Sequence, residues 1–310
     1  MRLRTYFSLG FVAIVLAASL FSCGSSNETN KPEKKESTTS GNIKISVDES
    51  YMPVIAQELN VFDSSYPDGH IAAAYKTEKQ CFEDLFTDSA RLIVVSRDLT
   101  PAEKKAYKNN QVTIKSLGIA MDAIAVVLNP ASPDSFMTLG QLKQILLGKF
   151  AREYTVVFDN AQSGTVRYML DSLIPGQQLP SKTYAVKNND SVLDYVSKNE
   201  HAIGFVGVSH VYDEESSLPE GAFKKGIVVA SLKDESDTTI NDFYQPYQAW
   251  IALKKYPLYR TMYFITRDSW SGLGAGFANF LSSEAGQLIF KKARLVPLRV
   301  ALRLREAEIK

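Results

Sequence analysis

The chain has 310 residues, 45% of them hydrophobic and 22% charged, with 35 Lys+Arg against 34 Asp+Glu. That composition is globular, and the length suits one large or two ordinary domains. The net charge of +1 argues against a globally basic nucleic-acid binder, and two cysteines, Cys23 and Cys81, exclude a disulfide scaffold or a four-cysteine zinc site.

Arg2 and Arg4 precede a mainly apolar run, Phe7 to Phe21, that ends at Ser22-Cys23. This is the pattern of a secretory signal peptide, and the run is short for a transmembrane helix. It resembles a bacterial lipoprotein signal, which implies that residues 1–22 are removed and that Cys23 carries a lipid. The next stretch, 23–42, is rich in Ser, Thr, Asn, Lys and Glu. It is expected to be a flexible tether, because it holds too little apolar surface to fold.

From Ile43 onward, short apolar runs alternate with stretches of helical period. Strands are expected at Ile43–Val47, Ile71–Tyr75, Leu92–Val95, near Val112–Leu117 and at Ala123–Leu128. Further strands are expected at Val156–Phe158, Ile203–Val206, Ile227–Val229 and within Tyr259–Ile265. Helices are expected after Met52, at Glu78–Phe86 (with Phe82, Leu85 and Phe86 inward), Leu139–Leu147, Thr165–Leu173, Ser191–Val196, Leu273–Leu281 and Glu284–Ala293. Thr100-Pro101-Ala102-Glu103 reads as a capping box with proline in the first turn, a strong helix start. The alternation indicates an α/β protein, and at least eight strands suit two sheets better than one.

No nucleophile elbow, zinc-protease motif or Walker loop is present. The glycine cluster Gly272-Leu273-Gly274-Ala275-Gly276 lacks dinucleotide-binding spacing and reads as a close-packing device. His70, His201 and His210 are widely separated, so no metal or cofactor is expected. Cys81 is expected to be a buried, inert thiol. Trp250 and Trp270 are expected to pack rather than to stack on a ligand.

Three strand-to-helix junctions carry hydroxyl residues. They are Asp48-Glu49-Ser50-Tyr51, Ser96-Arg97-Asp98 and Ser163-Gly164-Thr165-Val166-Arg167. Helix N-termini bind anions readily, and ligands of α/β proteins sit at the carboxyl ends of strands. Each junction alone reads as an ordinary N-cap; three in one chain, two with arginine, suggest an oxyanion site.

With these junctions, further landmarks make the chain resemble the solute-binding proteins of phosphate ABC transporters (the PstS type). They are Asp122-Ala123-Ile124-Ala125-Val126-Val127-Leu128-Asn129-Pro130, Leu139-Gly140-Gln141-Leu142, Ala202-Ile203-Gly204-Phe205-Val206-Gly207 and Glu284-Ala285-Gly286-Gln287. The resemblance covers nearly all of 43–298. It implies a two-lobed, type II periplasmic-binding-protein-like fold, each lobe a mainly parallel sheet flanked by helices. Residues 43–121 with 248–310 would form one lobe and 122–247 the other, the chain crossing near Met121 and returning near Tyr247–Ala249.

By the same resemblance, Ser50, Tyr51, Ser96, Arg97, Ser163, Gly164, Thr165 and Arg167 would surround a phosphate or related oxyanion. The protein would be a non-enzymatic monomer, held on the periplasm-facing membrane surface by lipid on Cys23 and serving an ABC permease. The chain departs from the family at Val47-Asp48-Glu49, where glycine and small hydroxyl residues are usual, and at Val166, which sets Arg167 one position later. Asp48, Glu49 or Asp98 could accept a hydrogen bond from protonated phosphate, whereas sulfate would be repelled. The alternative is a binding or signalling lipoprotein of the same fold with another anion or a protein partner. A phosphatase is the least supported reading, because no catalytic constellation accompanies the hydroxyls.

Overall fold

The computed structural model describes residues 36–299, apart from 214, 219–220, 240 and 268–270. The signal segment, Cys23 and Trp270 lie outside the described residues. The expected tether is ordered at its end. Ser37 and Ser40 pair in a tight turn, Glu36 forms an ion pair with Arg91 at 3.2 Å, and the first strand begins at Gly41.

The strands are β1 (Gly41–Asp48), β2 (Gly69–Lys76), β3 (Leu92–Val95), β4 (Lys115–Leu128), β5 (Phe136–Thr138) and β6 (Thr155–Phe158). They continue as β7 (Thr183–Ala185), β8 (Ala202–Gly207), β9 (Val228–Val229), β10 (Ser231–Lys233), β11 (Tyr259–Thr266) and β12 (Val296–Pro297). The helices are α1 (Met52–Ser65), α2 (Glu78–Phe86), α3 (Pro101–Asn109), α4 (Leu139–Leu146) and α5 (Gly164–Leu173). After them come α6 (Asn189–Lys198), α7 (Gln248–Ala252), α8 (Leu273–Ser282) and α9 (Glu284–Lys292).

Among the described residues, ten strands form one connected sheet with the path β2-β1-β3-β11-β4-β8-β6-β7, while β9 and β12 pair with β4 off that path. Two separate sheets were expected; the connection is β4 itself. Its first part, Lys115–Ala123, pairs antiparallel with β11, and its second part, Ile124–Leu128, pairs antiparallel with β8. One 14-residue strand therefore serves both halves of a two-lobed α/β fold. The separate strands expected near Val112–Leu117 and Ala123–Leu128 are one element, because the residues between them, including Gly118 and Asp122, keep the ladder with β11.

In the first half, β1 pairs in parallel with β2 and β3. In the second, β6 pairs in parallel with β7 and β8. The antiparallel pairs gather around β4 and β11, so parallel pairing holds in the outer part of each half. The run Ile119–Leu128 is buried throughout, as an element covered on both faces requires.

Capping chemistry sets the helix starts. Thr77, Thr100 and Thr138 each accept a hydrogen bond from the backbone N–H three residues on, with Gln80, Glu103 and Gln141 reciprocating. On α2, Cys81 and Leu85 face inward, but Phe86 is 56% exposed, contrary to the expected stripe. Phe86 instead meets the ring of Tyr107 edge-on, at 6.0 Å between centroids. Cys81 is a free, fully buried thiol whose pKa burial pushes up.

Helix α6 packs on β8 across Gly204. A Cβ there would stand 2.6 Å from Val192, 2.8 Å from Val127 and 2.9 Å from Val196. Gly204→Ala is expected to cost about 1–3 kcal/mol, the usual range for overpacking. Urea unfolding measures it, and a loss below about 0.5 kcal/mol would show that α6 shifts freely.

Candidate functional site

The carboxyl ends of β1, β3 and β6 converge where the two halves of the sheet meet. Each strand leads into a turn or helix that presents polar groups. After β1, Asp48 begins a short 3-10 turn, Glu49–Tyr51. Its Oδ1 accepts the Ser50 N–H at 3.0 Å and the Ser50 hydroxyl at 2.7 Å. After β6, Ser163 caps α5 by accepting the Val166 N–H, and it donates its own proton to Asp159 Oδ1 at 2.7 Å.

Gly164 brings the second loop against the first. A Cβ on Gly164 would lie 2.6 Å from Ser96 Oγ, 2.7 Å from Asp48 Oδ2 and 3.1 Å from Glu78 Oε1. Only a glycine allows that approach. His210, in the short turn Val208–His210 that follows β8, also bridges the halves, its Nε2 lying 3.1 Å from the Ser50 carbonyl oxygen.

Glu78, at the start of α2, is the most heavily bonded carboxylate of the site. Its Oε1 accepts the Ser96 N–H at 3.0 Å and the Ser96 hydroxyl at 2.6 Å. Its Oε2 accepts Arg167 Nε at 2.5 Å, while Arg167 Nη2 donates to Ser96 Oγ at 3.0 Å. The Glu78 side chain is 3% exposed. Burial opposes its charge, but Arg167 and Ser96 outweigh burial and hold its pKa below the usual carboxylate value.

A second arginine lies deeper. Arg260 of β11 donates from Nε to Asp122 Oδ2 of β4 at 2.8 Å, and both side chains are 1% exposed. Its Nη2 lies 3.4 Å from Ser50 Oγ, and its guanidinium stands 5.3 Å from the centroid of the Tyr51 ring. Burial, then the neighbouring Glu78, push the Asp48 carboxyl up to about 7 against Arg260 and the two Ser50 hydrogen bonds. Burial also raises Asp159, and it raises Glu49 together with the charge of Asp159.

Several buried polar atoms here have no hydrogen-bond partner among the described residues. They are Asp48 Oδ2, Glu49 Oε1, the Tyr51 hydroxyl, Thr165 Oγ1 and Arg260 Nη1. Ser50 links them, since it bonds Asp48 and approaches Arg260. A cluster of unpaired buried donors and acceptors is costly unless a ligand uses it.

The structure thus gathers Ser50, Tyr51, Ser96, Ser163, Gly164, Thr165 and Arg167. Arg97 is not brought to them. Its guanidinium forks onto Glu103, with two hydrogen bonds of 2.8 Å, and stacks 3.7 Å from the centroid of the Phe82 ring. Asp98 also turns away, to Lys104 at 2.7 Å. Arg97 lines an outer cleft of about 700 Å³, together with Phe82, Phe86, Tyr107, Val166 and Leu170. Glu78, Ser163 and Arg167 line the same cleft.

Sequence reading missed Glu78, Asp122, Asp159 and Arg260. Two carried a usable signal. Arg260 falls on the buried face of β11 with Met262 and Phe264, and Asp122 interrupts an apolar run. A lone base and a lone acid inside two apolar strands invite pairing. Among the described residues, no group of three or more His, Cys, Asp or Glu side chains is placed to hold a metal ion.

The family model for the PBP superfamily domain matches residues 32–285. The chain belongs to that family. As a PBP superfamily domain, it is 20% identical over 288 residues to the phosphate-binding protein PstS of Bacillus subtilis (strain 168), covering 87% of this chain and 85% of that one. A Clostridium perfringens protein solved with bound phosphate superposes with a TM-score of 0.69 at 22% identity, over 83% of this chain and all of that one. An ABC-type phosphate transport receptor from Vibrio cholerae gives 0.64 at 20% identity, over 82% of this chain and 99% of that one. At these identities, the structural likenesses establish the two-lobed PBP fold.

Proposed function

We propose that this protein is an extracytoplasmic solute-binding component of an ABC transporter that captures phosphate between its two lobes without chemical change. Residues 43–121 with 248–310 form one lobe in this reading, and 122–247 the other. Lipid on Cys23 tethers a monomer to the membrane, and a permease receives the ligand. No described helix is long and apolar enough to span a membrane; the tether is read from the N-terminal segment.

The observation that carries the reading is the mixed character of the unpartnered buried atoms. Arg260 Nη1 can only donate, Thr165 Oγ1 can donate, and Asp48 Oδ2 is an acceptor unless protonated. Protonated phosphate supplies oxygens to the donors and an O–H to Asp48. Sulfate supplies only oxygens, so it repels an ionised Asp48 and binds only where Asp48 first takes up a proton. Hinge closure around such an anion needs no catalytic group. The relatives named above, which include a phosphate-binding protein and a phosphate transport receptor, support the same ligand.

A second reading rests on charge. Asp48, Glu49, Glu78, Asp122 and Asp159 surround Arg167 and Arg260, which favours a ligand less negative than phosphate.

Titration calorimetry separates the two. Phosphate is expected to give heat and sulfate none, and Gly164→Ala is expected to weaken phosphate at least tenfold by blocking the approach of the loops. No heat with phosphate, but heat with a less charged solute, would replace phosphate and leave the fold untouched.

A further inference from the structure

The inner site contains an anion of its own. Three of the donors expected to hold a captured oxyanion, the Ser96 N–H, the Ser96 hydroxyl and the Arg167 guanidinium, converge on the carboxylate of Glu78. Glu78 and Ser96 belong to the first half of the sheet, and Arg167 to the second. The Glu78–Arg167 pair therefore fastens one lobe to the other.

We propose that Glu78 is a specificity-determining residue that acts as an internal anion, closing the lobes on itself and competing with the incoming oxyanion for Ser96 and Arg167. The proposal rests on the oxyanion reading of the site.

Three features support it. First, the position is built for an anion: Glu78 opens α2, where the helix N-terminus and the Thr77–Gln80 capping box favour negative charge. Second, the contact is buried and specific. Glu78 is 3% exposed, and both its oxygens are used. Third, it has somewhere to go. Glu78 lines the cleft of about 700 Å³, which offers its side chain space beside Ser96.

A ligand must then do more than fit. It has to offer Ser96 and Arg167 an oxyanion better than a carboxylate, and it has to tolerate Asp48 and the displaced Glu78 nearby. An anion that serves Ser96 and Arg167 no better than a carboxylate is rejected, because it must displace Glu78 before it can bind and gains nothing by the exchange.

The test combines solution scattering with calorimetry on the full-length protein and on Glu78→Gln, a change that keeps the side chain's shape. Unliganded wild-type protein should scatter as the closed structure does, and 10 mM phosphate should not contract it. Unliganded Glu78→Gln should be expanded and should contract with phosphate, binding it at least tenfold more tightly than the wild type. An expanded unliganded wild type would overturn the proposal, even if the variant failed to fold. So would a compact unliganded Glu78→Gln, or one that binds phosphate no better than the wild type. If Glu78→Gln expands but neither protein binds phosphate, Glu78 stands as the closing anion and the phosphate reading falls instead.

Discussion

Arg260→Met is expected to lower the unfolding free energy by about 3–5 kcal/mol, the cost of removing one partner of a buried ion pair. Arg260 and Asp122 face each other in the β4–β11 ladder and pair at 2.8 Å with both side chains 1% exposed. Without the guanidinium, Asp122 is left as a buried charge, and Asp48 loses the cation that opposes its burial. The double variant Arg260→Met with Asp122→Leu should recover most of the loss, because it removes the stranded charge as well. Urea denaturation of the single and double variants measures this. A single-variant loss below about 1 kcal/mol would mean that water reaches Asp122 when the arginine leaves.

Glu58→Gln is expected to stabilise the protein by about 3 kcal/mol at pH 7. Glu58 lies on the inner face of α1, fully buried, and neither carboxyl oxygen has a partner among the described residues. Burial pushes its pKa up to about 9 from an ordinary value of 4.5. The folded chain therefore keeps a proton that the unfolded chain releases above about pH 4.5. The protonated carboxyl's share of stability is complete below that pH and is lost as pH rises toward 9, at about 1.4 kcal/mol per pH unit. Glutamine does not titrate and escapes the loss. The two proteins should be equally stable near pH 4 and diverge steadily above it. A constant difference from pH 5 to 8 would show that Glu58 is not held neutral in the fold.

Much of the architecture was legible because it is local. The limits of α2 and β3 follow from short apolar runs between clear stop signals, and the Thr100–Glu103 box marks α3 by residue type alone. Ser163-Gly164-Thr165 announced itself at a strand-to-helix junction. What stayed hidden depends on partners far along the chain. Arg260 meets Asp122 across 138 residues, and Arg167 meets Glu78 across 89. Arg97 was misleading for the opposite reason: its partner Glu103 is only six residues away, already engaged in the capping box. A cation beside a hydroxyl suggests a ligand until a nearby carboxylate is seen to take it. The continuity of β4 was hidden too, because Gly118 and Asp122 look like breaks until β11 supplies their hydrogen bonds.

The place of β11 bears on how the chain assembles. It lies between β3 and β4 at the middle of the sheet, although more than a hundred residues separate it from either in sequence. During synthesis, β1, β2 and β3 can pair as soon as they emerge, but β4 has no neighbour on that side until Tyr259 arrives. The second half of the sheet, whose β6 and β8 lie wholly within the intervening segment, can form earlier. Folding is therefore gated by about the last sixth of the chain, which begins at Tyr259, and its nucleus must close a long loop before the central ladder stabilises it. A chain truncated before Tyr259 would leave the β3 and β4 edges bare, which are surfaces prone to pairing with other copies.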